Sequence, residues 1–117
     1  MFLQLNHKSL DVYKASRELL LECYNRTKNL PLDERFNLTQ QIRRAALSVK
    51  LNIAEGASRK SFAERKRFYE IARGSIIEID AAFETTIDLL YFKIDDLETV
   101  GILLNRCFSM LTKMTAG

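Results

Sequence analysis

Tryptophan is absent from this 117-residue chain, histidine and proline occur once each, and the chain holds two cysteines and four glycines. Each shortage excludes something. A protein of many short strands needs turn residues at every reversal, and one Pro with four Gly cannot supply them. Cys23 and Cys107 stand far apart and form no Cys-x-x-Cys pair. With His7 they make three soft ligands, one short of a structural zinc site. In a reducing compartment they read as small buried hydrophobes. No apolar run approaches the ~18–20 residues of a membrane span. The opening Met1-Phe2-Leu3-Gln4-Leu5-Asn6-His7-Lys8 lacks an apolar stretch after a basic start, so no secretory signal and a cytoplasmic location are expected. A histidine-dependent catalyst would have only His7. There is no Ser–His pairing, no paired general acid and base and no Gly-rich phosphate loop. No catalytic residue, metal or cofactor is therefore expected.

What the chain does have is ordinary for a globular domain: 47% hydrophobic and 28% charged residues. One domain over residues 1–117 fits this length. Periodicity predicts four helices. The first runs from about Ser9, a candidate N-cap, to Lys28, with Leu10, Tyr13, Ser16, Leu20, Cys23 and Tyr24 at spacings of three and four; Leu30-Pro31 closes it. A connector follows, with one turn at Asp33–Phe36. The second runs from a Thr39 cap to Glu55, with Gly56 as a left-handed C-terminal cap. Ser61 and Glu64 form a capping-box pattern opening the longest helix, to about Phe92. Asp95 or Asp96 caps the fourth, to about Met114. Short connections imply an all-α fold, an antiparallel up-down-up-down four-helix bundle.

Charge is unevenly placed. Residues 41–73 carry nine basic and three acidic side chains, whereas residues 74–117 carry three basic and seven acidic ones. The basic block is Arg43, Arg44, Lys50, Arg59, Lys60, Arg65, Lys66, Arg67 and Arg73. A clustered basic surface is the footprint of nucleic-acid binding, with RNA or DNA as partner. Phe62 and Tyr69 lie nearby as stacking candidates, though both also suit a core. The competing reading is a solvated face paired with acidic residues of a neighbouring helix or subunit. The expected nucleic-acid contacts are Arg43, Arg44, Lys50, Arg59, Lys60, Arg65, Lys66 and Arg67. Asp80, Glu84 and Asp88 recur every four residues, where like charges repel. A carboxylate-bridged metal site would need Glu-x-x-His elements that this chain lacks, so pairing across a helix or subunit contact is the expectation.

The second helix is apolar on two sides. Leu38, Ile42, Ala45, Val49 and Ile53 make one stripe; Leu47, Leu51 and Ala54 make another. Such a helix is central in its bundle or shared with a second copy. Ser48, Asn52 and Glu55 lie between the stripes. With Arg73, Ser75 and Glu78 they are expected to form a hydrogen-bonded network that fixes register. Gly74 weakens the third helix by about 1 kcal/mol relative to Ala; close approach of another helix, with Ala45, Ala46 and Ser48 small enough to face it, is the expected reason, and a kink the alternative.

Two motifs carry a resemblance. Gln41-Ile42-Arg43-Arg44-Ala45-Ala46-Leu47-Ser48-Val49 with Asn52-Ile53-Ala54-Glu55-Gly56, and Phe68-Tyr69-Glu70-Ile71-Ala72-Arg73-Gly74-Ser75 with Glu78, resemble the bacterial four-helix-bundle proteins of the 23S rRNA intervening-sequence family. The connector Leu30-Pro31, Glu34, Phe36, Leu38 matches as well, so the likeness spans nearly the whole chain. Lys50 stands where many members carry Pro, so no kink is expected there. The resemblance implies a homo-oligomeric ring, commonly a homopentamer. It also implies distant kinship with the accessory variability protein of diversity-generating retroelements, a basic pentameric barrel that binds nucleic acid and a reverse transcriptase. Carried over by position, Arg43, Arg44, Asn52, Glu55, Arg73 and Glu78 are the motifs' polar residues. The expected function is a non-enzymatic nucleic-acid binder. The alternative is a protein-interaction scaffold, for example a polymerase or reverse-transcriptase accessory subunit.

Overall fold

The apolar stripes become four helices in the computed structural model, which describes residues 2–117; Met1, the first residue of the stretch read for a signal, lies outside the described residues. They are α1 (Asp11–Thr27), α2 (Leu38–Ala57), α3 (Phe62–Asp88) and α4 (Glu98–Thr115). Single 3-10 turns at Asn6–Ser9, Leu32–Glu34 and Ile94–Leu97 punctuate them, and there is no strand among the described residues. At 1.5 Å per residue, α3 is a rod of about 40 Å, close to the longest dimension of a 44 × 35 × 21 Å molecule.

Helix α1 packs on α2 and α4, and α3 also packs on α2 and α4. The shared core takes Leu19 and Cys23 from α1, Ile42, Val49 and Ile53 from α2, Ile76, Ile79 and Phe83 from α3, and Val100, Cys107 and Leu111 from α4, all buried. Each large side chain of this set stabilises the fold by roughly 1.5–3 kcal/mol through burial. The first stripe of α2 is buried except for half-buried Leu38, whereas Leu47 and Leu51 of the second stay exposed.

The helix ends depart from the sequence reading in instructive ways. Ser9 does not cap α1: its hydroxyl donates to the Asn6 carbonyl at 2.9 Å, and Leu10 occupies the cap position. Asn37, not Thr39, precedes α2. Gly56 is not a left-handed cap. It lies inside α2, where an added Cβ would stand 2.8 Å from Tyr69 Cε1 and 3.0 Å from Phe68 Cβ. Lys50 leaves α2 uninterrupted, as expected. Ser61 does cap α3, accepting from the Glu64 N–H at 3.1 Å. Helix α3 stops at Asp88 because Leu90 turns left-handed, with φ 67. There the Leu90 N–H reaches the Ile87 carbonyl and the Tyr91 N–H the Thr86 carbonyl, both at 2.9 Å, the paired bonds of a Schellman ending. Asp95 and Asp96 lie in a 3-10 turn ahead of α4, where the Asp96 carboxylate accepts the Lys93 N–H at 2.9 Å.

Contacts between α2 and α3 follow a fixed order. Gln41 donates to Glu78, Ser75 donates to Ser48 at 3.0 Å, and Gly56 lies against Tyr69. Between α3 and α4, Arg73 donates to Thr112 at 2.9 Å.

Candidate nucleic-acid interface

The α2–α3 turn assembles the first group of cations. Helix α2 ends at Ala57 and α3 begins at Phe62, so few residues separate Arg59 and Lys60 from Arg65 and Lys66. The Arg65 guanidinium donates to the Arg59 carbonyl at 3.2 Å and the Lys60 carbonyl at 2.9 Å. Arg65 therefore satisfies backbone groups that two closing helices leave without partners. Arg59 pairs with Glu55 at 3.1 Å and lies over the Phe68 ring, 4.8 Å from its centroid. Lys66 reaches Glu70 at 4.0 Å. Arg67 and Lys60 are exposed and form no ion pair among the described residues.

The second group lies along α2, from its first turns to past its middle. Arg43 donates to Thr27 Oγ1 at 2.9 Å and lies over the Tyr24 ring at 4.5 Å. Arg44 is exposed. Lys50 lies 5.8 Å from the Tyr13 ring centroid. Roughly 20 Å of helix separates Arg44 from the α2–α3 turn, at 1.5 Å per residue. The basic block is thus a cluster at the α2–α3 turn, a group along α2, and Arg73 apart from both beside α4. Of its nine cations, only Arg59 and Lys66 pair with a carboxylate among the described residues. Both pairs are internal to the block and solvent-exposed, so they contribute little to stability.

The stacking candidates divide. Tyr69 is 6% exposed and belongs to the core, with its hydroxyl pKa raised by burial. Phe62 is half open at the first turn of α3. Sequence reading missed Tyr24, Arg35 and Phe36, which gather beside Arg43 and Arg44. Nineteen positions separate Tyr24 from Arg43, and no local periodicity links them. The one available signal was the adjacent Arg35-Phe36 pair, an aromatic ring beside a cation in the connector.

The residues expected to form one polar network fall into separate places. Ser48, Asn52 and Ser75 are joined: Asn52 Nδ2 donates to the Ser48 carbonyl at 2.9 Å and its hydroxyl at 3.1 Å, and Ser75 donates to the same hydroxyl. Glu55 turns outward to Ser58 and Arg59. Arg73 faces α4, donating to Thr112 and lying 4.3 Å from the Phe108 ring centroid. Glu78 accepts from Gln41. Among the described residues Gly74 has nothing within 4 Å of where a Cβ would stand, so the expected close approach of another helix does not occur within this chain.

A second groove lies between α3 and α4. Asp80 borders this groove, walled by Ile76, Ile77, Leu104 and Phe108, and Ile77 and Ile102 are each about half exposed. Among the described residues no three His, Cys, Asp or Glu side chains group as a metal ion requires. Burial pushes the Cys23 thiol up to about 12, with help from the Glu22 carboxylate, and the Cys107 thiol up to about 11. No helix among the described residues is long and apolar enough to cross a membrane.

Comparison with known proteins places these features in a family. Residues 8–113 match the family described as 23S rRNA-intervening sequence protein, and the chain belongs to that family. No curated protein matches it. Among solved structures, it is similar to a protein of unknown function from the S23 ribosomal protein family of Bacteroides thetaiotaomicron. The two superpose with a TM-score of 0.82 at 23% identity, covering 91% of this chain and 99% of the other. At that identity the likeness speaks for the fold.

Proposed function

We propose that this member of the 23S rRNA-intervening sequence protein family is a non-enzymatic, cytoplasmic, homo-oligomeric protein that binds nucleic acid through its basic surface. One observation carries the reading: the nine cations of residues 41–73 stand against three carboxylates within the block, and only two of the nine are paired among the described residues. Phosphates are the natural counter-charge, and they attract such a surface without base readout. The bundle is read as antiparallel, up-down-up-down. Contacts between α2 and α3 ascend along one helix as they descend along the other, from Gln41–Glu78 through Ser48–Ser75 to Gly56–Tyr69. A ring is supported by two exposed apolar faces on one chain: Leu51 on α2, and Ile77 beside Asp80 on α3 with Ile102 on α4. Head-to-tail contact of such faces closes into a ring when the rotation permits.

The binding test compares a hairpin RNA and a DNA duplex by fluorescence anisotropy. For about six phosphate contacts, affinity should fall by roughly 10³ between 50 and 200 mM salt. Replacing Lys60 and Arg67 with Glu should weaken binding roughly tenfold or more without unfolding, since neither makes an ion pair among the described residues. Arg65 is left intact because it holds the turn. Affinity unchanged in this variant refutes the turn cluster as the interface. The acidic apolar groove beside Asp80 favours the second reading, a scaffold for a protein such as a polymerase or reverse transcriptase; capture of a partner that survives nuclease would support it.

A further inference from the structure

The seam between α1 and α2 holds a groove that phosphate attraction alone does not explain. Tyr24, Phe36 and Leu47 line it with Arg35, Arg43 and Arg44, enclosing about 330 Å³. Phe36 is 76% exposed and Tyr24 39%, so two aromatic rings lie open to water despite the gain that burying them would bring. Arg35 stands 4.7 Å from the Phe36 ring centroid, and Arg43 4.5 Å from that of Tyr24. Arg43 is anchored through Thr27 and so meets a ligand already oriented. Among the described residues no carboxylate lines the groove. Glu34, the neighbour of Arg35 in sequence, is occupied elsewhere, accepting from Asn37 at 3.1 Å and from the Tyr91 hydroxyl at 2.8 Å. Three guanidinium groups with no counter-charge in one groove repel one another, and an anion between them removes that repulsion.

We propose that this groove seats an unpaired nucleic-acid strand, its bases stacked on Phe36 and Tyr24 and its phosphates held by Arg35, Arg43 and Arg44. The inference rests on the reading of the chain as a nucleic-acid binder and narrows it to single strands at this seam. The rings decide the matter. A duplex hides its base faces in its own stack and presents only phosphates here, whereas an unpaired base offers a free face to an exposed ring. Every base has such a face, so stacking brings little sequence preference. An acidic peptide would satisfy the arginines and leave Phe36 and Tyr24 unused.

The test exploits the absence of tryptophan from the chain. Phe36→Trp places a single indole in the groove. Short oligo(dU), oligo(rU), a duplex and inorganic polyphosphate are titrated separately at 50 mM salt, where phosphate attraction is strong. Both single strands should quench the indole, and polyphosphate should not; the stronger of the two names the preferred sugar. Phe36→Ala should weaken single-strand binding about 5- to 150-fold and leave duplex binding unchanged. Phe36 is exposed, so this variant keeps its core. Equal quenching by polyphosphate, or single-strand affinity unchanged in Phe36→Ala, overturns the proposal. If the Lys60→Glu, Arg67→Glu variant still loses duplex affinity, the broader reading survives that failure. A poly-glutamate peptide that binds while both single strands stay inert overturns it in favour of an acidic partner. Absence of any nucleic-acid binding at 50 mM salt overturns both.

Discussion

Two glycines on neighbouring helices should respond to the same substitution with opposite sign. Gly56 and Gly74 both lie within helices, where alanine is favoured by up to about 1 kcal/mol. At Gly74 a Cβ meets nothing within 4 Å, so Gly74→Ala should keep the gain, about 0.5–1 kcal/mol. At Gly56 a Cβ would stand 2.8 Å from Tyr69 Cε1 and 3.0 Å from both Tyr69 Cδ1 and Phe68 Cβ. Tyr69 is a core residue and cannot swing into solvent without leaving a void. Overpacking of this kind costs about 1–3 kcal/mol, which outweighs the propensity gain and leaves a net loss of about 1 kcal/mol. For a chain of this length the unfolding entropy converts 1 kcal/mol into about 4 °C. Gly74→Ala should therefore melt about 2–4 °C above the parent protein and Gly56→Ala about 4 °C below it. Calorimetry at two protein concentrations is the assay, because assembly makes Tm depend on concentration. A Gly56→Ala variant as stable as the parent would refute the packing argument. A Gly74→Ala variant that loses stability, and loses more at high concentration, would show that a second copy packs where this chain leaves space.

Light scattering at micromolar concentration should give a mass several times 13.5 kDa, and Ile77→Asp, which adds a charge beside Asp80, should reduce it; a parent mass of 13.5 kDa refutes the ring. The buried thiols should resist labelling while the chain is folded, since the thiolate is the reactive form and their pKa values are pushed up to about 12 and about 11. Because these values lie above the ordinary 9.0, the protonated thiols' contribution to stability is complete below about pH 9. It is lost as the pH climbs through 11 and 12, because the unfolded chain releases those protons first. Denaturant midpoints that stay flat across that range, or fast labelling of the native chain, contradict this.

Much of the fold could be read in the chain because the relevant signals are local. The spacing of Ile42, Ala45, Val49 and Ile53 states which side of α2 is buried, and Ser61 with Glu64 states where α3 begins. Helix ends were less legible. Leu90 ends α3 in a conformation unfavourable to leucine, for which no turn residue gave warning. Gly56, which suggested a cap, owes its place to Tyr69 across the α2–α3 contact. The expected polar network dispersed for a related reason. Residues close on a helical wheel select partners by what the opposite helix presents, so Arg73 went to Thr112 and Phe108 while Ser48 and Ser75 met each other.

By itself, then, the chain determined its class, its four amphipathic segments and its imbalance of charge, since each follows from residue type and spacing within one stretch. Tertiary structure alone decided that the cations divide among separate places, that Arg65 holds a turn, and that Tyr24, Phe36 and Arg43 share a groove. Such juxtapositions join residues far apart along the chain, and only the packing of α1 against α2 brings them within reach.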